Sequence, residues 1–472
     1  VSDEYLENLE KSNQLKVYCG FDPTSESLQL GNLVAFIGLL RAQASGNDVI
    51  GLVGQATSII GDPTGLKKSR VPLSASACAN NSEIFRDALL FMQNNFTEQF
   101  LPRFKSVRDP GKFNVMNNLD WNKNAKLLDF VEDIAGFLRY QELAHKDSVK
   151  LRESCGSGMS MKEFMYPMIQ AYDFFHLYQN YGCCVQLGGN DQVGNIDTGI
   201  ALIRRKTGAN VFGLTVPLLV AADGSKIGKT SSASQDDVIW LSSKKLRPFH
   251  FFQKLLNQPD SLMTSSFIRS LSFFSPDEVT QLLTDQKACP SRRPIQRALA
   301  QELTLLVHGA GSLQASELAS RVLYASSSVN QTRLPPMQAL SEGLTSTERN
   351  FLVACLAHYT APLESPIPVI HDKATVSAGP LDRLHEVLKI AVSSECDRGT
   401  SLSVEEGGVV LNGQQILKPT PGASKKQCNC TQRMCIRDLF VSSESAIAEA
   451  WQAADPVTGF SILRIGKPLA FL

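Results

Sequence analysis

The chain has 472 residues, with 46 Lys and Arg set against 46 Asp and Glu, so its formal net charge is zero. Hydrophobic residues make up 43% and charged residues 19%, which excludes an intrinsically disordered chain and predicts about three domains at ~150 residues each. Neutrality also removes the basic signature of a general nucleic-acid binder, so any RNA contact must come from a local basic face.

No apolar run approaches the ~18 residues needed to span a bilayer; residues 33–40 are typical of the longest. No charged n-region and apolar h-region open the chain, so no secretory signal is expected. The start at Val1 rather than Met reads as processed or truncated. Eleven cysteines, scattered from Cys19 to Cys435, fit free thiols in a reducing compartment.

In chain order, residues 16–21 (KVYCGF) predict a short strand. Residues 31–45 predict a helix with Leu33, Phe36, Ile37 and Leu40 on one side. Residues 48–54 (DVIGLVG) predict a second buried strand running into a Gly-rich loop at 54–65. Residues 164–179 are aromatic-rich and helical, and residues 185–189 and 213–220 are further strands. Strands alternating with helices predict an α/β fold, a Rossmann-like parallel sheet with crossover helices. Beyond Ser231, helical spacing at 248–256, 275–283 and 293–310 predicts an α-helical domain. Residues 326–336 read as a polar loop and residues 381–391 as an amphipathic helix. Residues 407–416 carry Asn-Gly between apolar runs, a hairpin signal, and residues 460–465 are the final strand.

Three segments point to phosphate chemistry. In residues 18–33 (YCGFDPTSESLQLGNL) a strand feeds a turn into a helix N-terminus, where free N–H groups and the helix dipole favour an anion. Gly31 would let phosphate or base approach the backbone. On this segment alone a tight structural connection is an equally good reading. Residues 54–65 (GQATSIIGDPTG) precede Lys67, Lys68 and Arg70, and residues 223–230 (DGSKIGKT) form a second Gly-hinged basic loop. Two such loops on an α/β sheet suit a polyphosphate; the alternative is a pair of solvated surface loops.

Taken together, these motifs resemble the bacterial and mitochondrial type of tyrosyl-tRNA synthetase, a class I aminoacyl-tRNA synthetase family. CGFDPT followed by LQLGNL is similar to the segment carrying the class's His-Ile-Gly-His signature, and KIGKT to its Lys-Met-Ser-Lys-Ser loop. GDPTG, residues 164–174 (FMYPMIQAYDF) and residues 186–195 (QLGGNDQVGN) keep the family order, and the resemblance spans about residues 16–245.

The resemblance implies a tyrosine–tRNA ligase, with L-tyrosine, ATP and tRNA(Tyr) as substrates. Tyr18 and Asp173 are implied to read the phenolic hydroxyl, and Asp62, Tyr166 and Gln170 to cradle the ammonium. Thr57 and Gln186 are implied to support that pocket. Cys19, Gly20, Asp22, Gly31, Asn32, Gly189, Asp191 and Gln192 are implied to surround ATP and the adenylate. Lys226, Lys229 and Thr230 would hold pyrophosphate, faced by Thr24 and Gln29; Lys226 and Lys229 also bind ATP. Mg²⁺ would arrive with ATP, with no protein-bound metal. Tyr172 and Phe174 are expected to be core.

The chain departs from the pattern at four positions. Gln29 and Asn32 stand where the signature has histidines, Leu66 where a base is usual, and Val193 where an aromatic is usual. Gln29 can donate to a phosphate oxygen but cannot become cationic. Two readings follow: an active ligase, or a catalytically impaired homologue acting as an RNA-binding or scaffold protein. The intact set Tyr18, Asp62, Tyr166, Gln170 and Asp173 favours the ligase.

The implied layout is a Rossmann-like catalytic domain at 1–231 with a dimer-interface insertion at about 115–180, and an α-helical anticodon-arm-binding domain at 232–335. A linker at 336–380 and a divergent S4-like α+β RNA-binding module at 381–472 follow. That module lacks its run of bases, having Ser393, Ser394, Glu395 and Asp397 beside Arg398. Lys418, Lys425, Lys426, Arg433 and Arg437 form a basic insertion that either replaces those phosphate contacts or is a solvated loop. Cys428, Cys430 and Cys435 lack a fourth zinc ligand at usual spacing. His308 is expected at a helix end. Residues 130–138, with Tyr140 and Leu143, are the candidate homodimer interface, the alternative being an ordinary core helix. No membrane partner is expected. The mitochondrial matrix is the expected compartment, with a bacterial cytoplasm the alternative.

Overall fold

A computed structural model describes residues 15–66, 73–106, 108–156, 158–219 and 238–324, together with five short strands between 409 and 471. The chain divides into two units, Val1–Ala310 and Gly311–Leu472.

The first unit is built on a parallel sheet of β1 (Lys16–Phe21), β2 (Asp48–Val53), β3 (Phe113–Asn117), β4 (Val185–Gly189) and β5 (Phe212–Val216). The strand order is β3-β2-β1-β4-β5. Its direction of growth reverses between β1 and β4, and such a switch point opens a crevice beyond the strands' carboxyl ends. Val17, Tyr18, Cys19 and Phe21 of β1 and Val49, Ile50, Leu52 and Val53 of β2 are all buried. Near-continuous apolar runs of this kind belong to strands covered on both faces. Tyr18 sits in register beside Ile50 on one neighbour and Gln186 on the other.

Helix Leu30–Ala44 buries Val34 and Leu39 as well as the four residues expected on one side, because both the sheet and the helical region pack on it. Phe36 lies edge-on between Phe21 and Phe113, and Arg41 reaches back to donate to the Ser272 carbonyl.

Several expectations need correction. Residues 54–65 are not all loop: Gln55–Ile60 is a short helix ended by Gly61 at φ 87°. Its Ala56 N–H is satisfied by the Asn118 side chain, 2.7 Å away. Residues 130–138 do not form the single core helix of the alternative reading but split into a helix, Leu127–Asp133, and a single turn, Ala135–Phe137, before a further helix, Tyr140–Ala144. Ile134, Leu138 and Leu143 are core, whereas Leu127 and Leu128 are 74% and 77% exposed, and Val131 and Tyr140 also face outward. His308 does lie at a helix end as expected: Pro294–Tyr324 is two helices joined across a break at Gly309 (φ 82°), and His308 closes the first, packed edge-on against Phe251. Burial pushes its imidazole down to about 4.

Helices Pro248–Leu256, Ser265–Ser270 and Pro276–Ala288 complete the helical part of the first unit before the long broken one. Among the described residues no helix is long and apolar enough to cross a membrane.

In the second unit, β6 (Val409–Leu411), β7 (Gln414–Pro419), β8 (Phe440–Ser442), β9 (Ile462–Ile465) and β10 (Leu469–Phe471) form an antiparallel sheet in the order β10-β9-β6-β7-β8. β6 and β7 pair as the Asn-Gly signal predicts. β9 is not the final strand, since β10 pairs back onto it. The expected linker, the helix at 381–391, Lys425, Lys426, Arg433, Arg437 and the three clustered cysteines lie outside the described residues, as do Lys67, Lys68 and Arg70.

Candidate active site

β1 delivers Asp22 to the crevice, where both carboxylate oxygens are engaged. The Tyr166 hydroxyl donates to one at 2.7 Å and the Thr57 hydroxyl to the other at 2.6 Å. The carboxylate lies directly over Gly54, where a Cβ would stand 2.0 Å from Asp22 Oδ1. Glycine is therefore required there.

At the start of helix Leu30–Ala44, Asn32 Oδ1 accepts from the Gln29 amide at 2.9 Å, leaving the Asn32 NH₂ as the end that can reach outward. The space above Gly20 and Gly31 is open: a Cβ on either would meet nothing within 4 Å. Lys226, Lys229 and Thr230 lie outside the described residues, but the chain beside them is tied to this corner. Leu30 donates to the Ile239 carbonyl and Leu241 to the Leu28 carbonyl, and Gln29 bridges to Trp240. On the other side, Leu218 packs over Gly189.

Next to Asp22 is a buried polar pocket. Tyr18 packs on Phe174 with ring centroids 5.3 Å apart, and its buried hydroxyl has no hydrogen-bond partner among the described residues. Burial, reinforced by Asp173, pushes its pKa well up. Asp173 is held by three neutral donors: Asn118 Nδ2 at 2.9 Å, Trp121 Nε1 at 2.8 Å and Asn122 Nδ2 at 2.8 Å. Burial pushes its carboxyl up to about 7, against the pull of those three donors. Asn118 also donates to Thr57 at 3.1 Å, and Trp121 is fixed by stacking on His176 at 4.4 Å. Sequence reasoning missed Asn118, Trp121 and Asn122. The only signal available was an Asn- and Trp-rich turn (NNLDWN, 117–122) directly after a strand.

The far side is organised by Asp62. One oxygen accepts from the Thr64 amide at 2.9 Å and the other from Gln192 Nε2 at 2.8 Å. Gln192 Oε1 in turn accepts from Asn195 at 3.1 Å and Gln170 at 3.4 Å. Burial, then Asp22 and Asp62, raise the Tyr166 phenol. Gln170 Oε1 and Gln186 Oε1, like the Tyr18 hydroxyl, are buried without a partner among the described residues. An unsatisfied buried polar group costs about 1–3 kcal/mol, so three on adjacent elements form a site prepared for a polar ligand.

Other expected residues divide. A Cβ on Gly189 would stand 2.7 Å from Asp191 Oδ1, so any side chain there would displace the Asp191 carboxylate. Thr24 is half-buried in the turn that its amide closes onto the Asp22 carbonyl. Cys19 is fully buried and burial pushes its thiol up to about 12, so it stays neutral. Phe174 is core, and Tyr172 is half-buried against Phe130. Val193 is 45% exposed. Beside the site, a cleft of about 710 Å³ runs past Thr64, Arg139, His145, Lys146 and Asp191.

Comparison with known proteins gives one consistent answer. The family of tRNA synthetases class I (W and Y) matches residues 10–325. The human mitochondrial tyrosine–tRNA ligase is 34% identical over 403 residues, covering 85% of this chain and 77% of its own. The tyrosine–tRNA ligase of Porphyromonas gingivalis is 38% identical over 318 residues, covering 67% and 70%. The crystal structure of a C-terminally truncated mitochondrial tyrosyl-tRNA synthetase from Aspergillus nidulans superposes with a TM-score of 0.60 at 27% identity, covering 68% of this chain and 89% of that one. The chain belongs to the class I aminoacyl-tRNA synthetases, in the tyrosyl-tRNA synthetase family.

Proposed function

We propose that this chain activates L-tyrosine with ATP, forming tyrosyl-adenylate and releasing pyrophosphate, and then transfers tyrosine to tRNA(Tyr). The observation that carries the reading is the pocket of Tyr18, Gln170 and Gln186, whose three buried polar atoms have no partner among the described residues, beside an Asp173 oriented by three donors. A phenolic hydroxyl donates to Asp173 and accepts from Tyr18. A substrate lacking the hydroxyl leaves both unpaired, which is the physical basis for rejecting phenylalanine. Asp62, Tyr166 and Gln170 meet the ammonium.

The tyrosine carboxylate is then held for in-line attack on the α-phosphate of ATP, over the open backbone at Gly20 and Gly31. Asn32, Asp191 and Gln192 would surround the nucleotide, and Thr24 and Gln29 would face the leaving pyrophosphate across from Lys226, Lys229 and Thr230. The protein's contribution is positioning and charge stabilisation, without a covalent enzyme intermediate. Mg²⁺ would enter bound to the phosphates of ATP, keeping part of its water shell.

The terminal hydroxyl of the tRNA then attacks the adenylate carbonyl, forming the ester to tyrosine and releasing AMP. Residues 232–335 would receive the anticodon arm, and residues 381–472 would add RNA contact. Leu127, Leu128, Val131 and Tyr140, large apolar side chains left exposed along one stretch of the chain, support a homodimer. The mitochondrial naming of the human relative supports action in mitochondria.

The test is exchange of labelled pyrophosphate into ATP. Exchange is expected with tyrosine and not with phenylalanine; its absence in the folded protein would overturn the proposal.

A further inference from the structure

Arg152, in helix Asp147–Ser154, is 1% exposed, and its guanidinium is spread over three segments. Nε donates to the Leu66 carbonyl at 2.9 Å, Nη1 to the Gly158 carbonyl at 3.2 Å and Nη2 to Glu163 Oε1 at 2.6 Å. The second Glu163 oxygen accepts from the Ser160 amide and hydroxyl at 3.3 and 3.1 Å, closing the cap of helix Met161–Phe164. Leu66 ends a closed turn: its amide donates to the Pro63 carbonyl at 3.1 Å, and Asp62 at the head of that turn accepts from Thr64.

An apolar pair of similar volume would fill this interior as well as an ion pair does. What such a pair lacks is a donor for the Leu66 carbonyl, the contact that, among the described residues, links the fork to the turn carrying Asp62. We propose that Arg152 is a positioning residue for tyrosine binding: by clamping the Leu66 carbonyl it holds the Asp62 carboxylate where the substrate ammonium is received. This rests on the reading of Asp62 given above.

The test uses the double variant Arg152→Met/Glu163→Gln, which removes the clamp without stranding a buried charge, and Arg152→Lys, which keeps the charge but not the three-way fork. Equilibrium binding is measured for L-tyrosine and for 3-(4-hydroxyphenyl)propanoate, which has the phenol and carboxylate but no ammonium. L-Tyrosine should bind about tenfold more weakly to the double variant, and more weakly than wild type but by a smaller factor to Arg152→Lys, because one charge-assisted contact is misplaced. The propanoate should bind within about twofold of wild type, since its contacts lie on β1 and helix Tyr166–Tyr181, away from the turn.

Equal weakening of both ligands, or undiminished L-tyrosine binding, overturns the inference. If the double variant does not fold, Arg152→Lys decides by the same ratio. Wild-type protein tested alongside separates the two readings. If it gives no tyrosine-dependent exchange, the function falls and the clamp with it; if it is active with unaffected variants, the clamp alone falls.

Discussion

Tyr18→Phe tests whether the buried pocket is built for a ligand rather than for stability. The Tyr18 hydroxyl is buried and unpartnered among the described residues, while its ring packs on Phe174 at 5.3 Å. Phenylalanine keeps that packing and deletes only the orphaned oxygen. Leaving such a group unsatisfied costs about 1–3 kcal/mol, so the ligand-free variant should be as stable as wild type or more so by up to that amount. Its hydrogen bond to a bound phenol is worth about 0.5–1.5 kcal/mol net, so kcat/KM for tyrosine in the exchange reaction should fall roughly 2- to 10-fold. Thermal unfolding without and with tyrosine, measured beside the kinetics, gives both signs in one preparation. A ligand-free variant destabilised by more than about 1 kcal/mol would mean that the hydroxyl has an internal role. An unchanged kcat/KM would mean that it does not meet the substrate.

Three further outcomes follow from the same geometry. Trp121→Phe keeps the stack on His176 but removes a donor to Asp173, so the carboxyl should titrate at still higher pH. The acid limb of the exchange pH profile should move to higher pH; an unmoved limb would mean that Asp173 ionisation does not govern it. Gly54→Ala should cost about 1–3 kcal/mol and lower exchange roughly 100-fold, because the new methyl displaces Asp22 from Tyr166 and Thr57. Wild-type activity would show that Asp22 moves without consequence. Burial holds Glu302 protonated up to about 7, against the pull of the Phe273 amide, whereas an unfolded glutamic acid ionises near ~4.3. Between those values the native state binds the extra proton, so this residue's contribution to stability falls as pH rises. Melting temperatures from pH 4.5 to 7.5 should therefore decline less steeply in Glu302→Gln; parallel curves would refute the assignment.

How much of this was legible depends on where each contact comes from. β1 and β4 match the expected residues 16–21 and 185–189 because their apolar runs are bounded by polar or glycine residues on both sides. Helix Gln55–Ile60 was hidden because six residues between glycines carry no periodicity; its second amide, of Ala56, is capped by Asn118, sixty-two positions away. The run at 130–143 shows the limit of apolar content as a guide. Ile134 at 2% exposure and Val131 at 50% look alike in sequence, and only the fold decides which one meets the core. Motif order located Tyr18, Asp62 and Asp173, but it could not show which donors would hold those acids, since Asn118, Trp121 and Gln192 reach them from distant elements.

The identity of those donors also gives the neutral chain its local polarity. Among the described residues, the donors on Asp62 are an amide and a glutamine, and those on Asp173 two asparagines and an indole. Each of these donors is neutral. Had arginine or lysine held the same carboxylates, the pocket's negative charge would be cancelled before an ammonium arrived. In sequence the cations cluster elsewhere, at 67–70 and 226–229. On the proposed function, a total of zero therefore conceals a division of labour, with Asp62 and Asp173 fixed by neutral hydrogen bonds for the amino acid and bases gathered on separate segments for the phosphates.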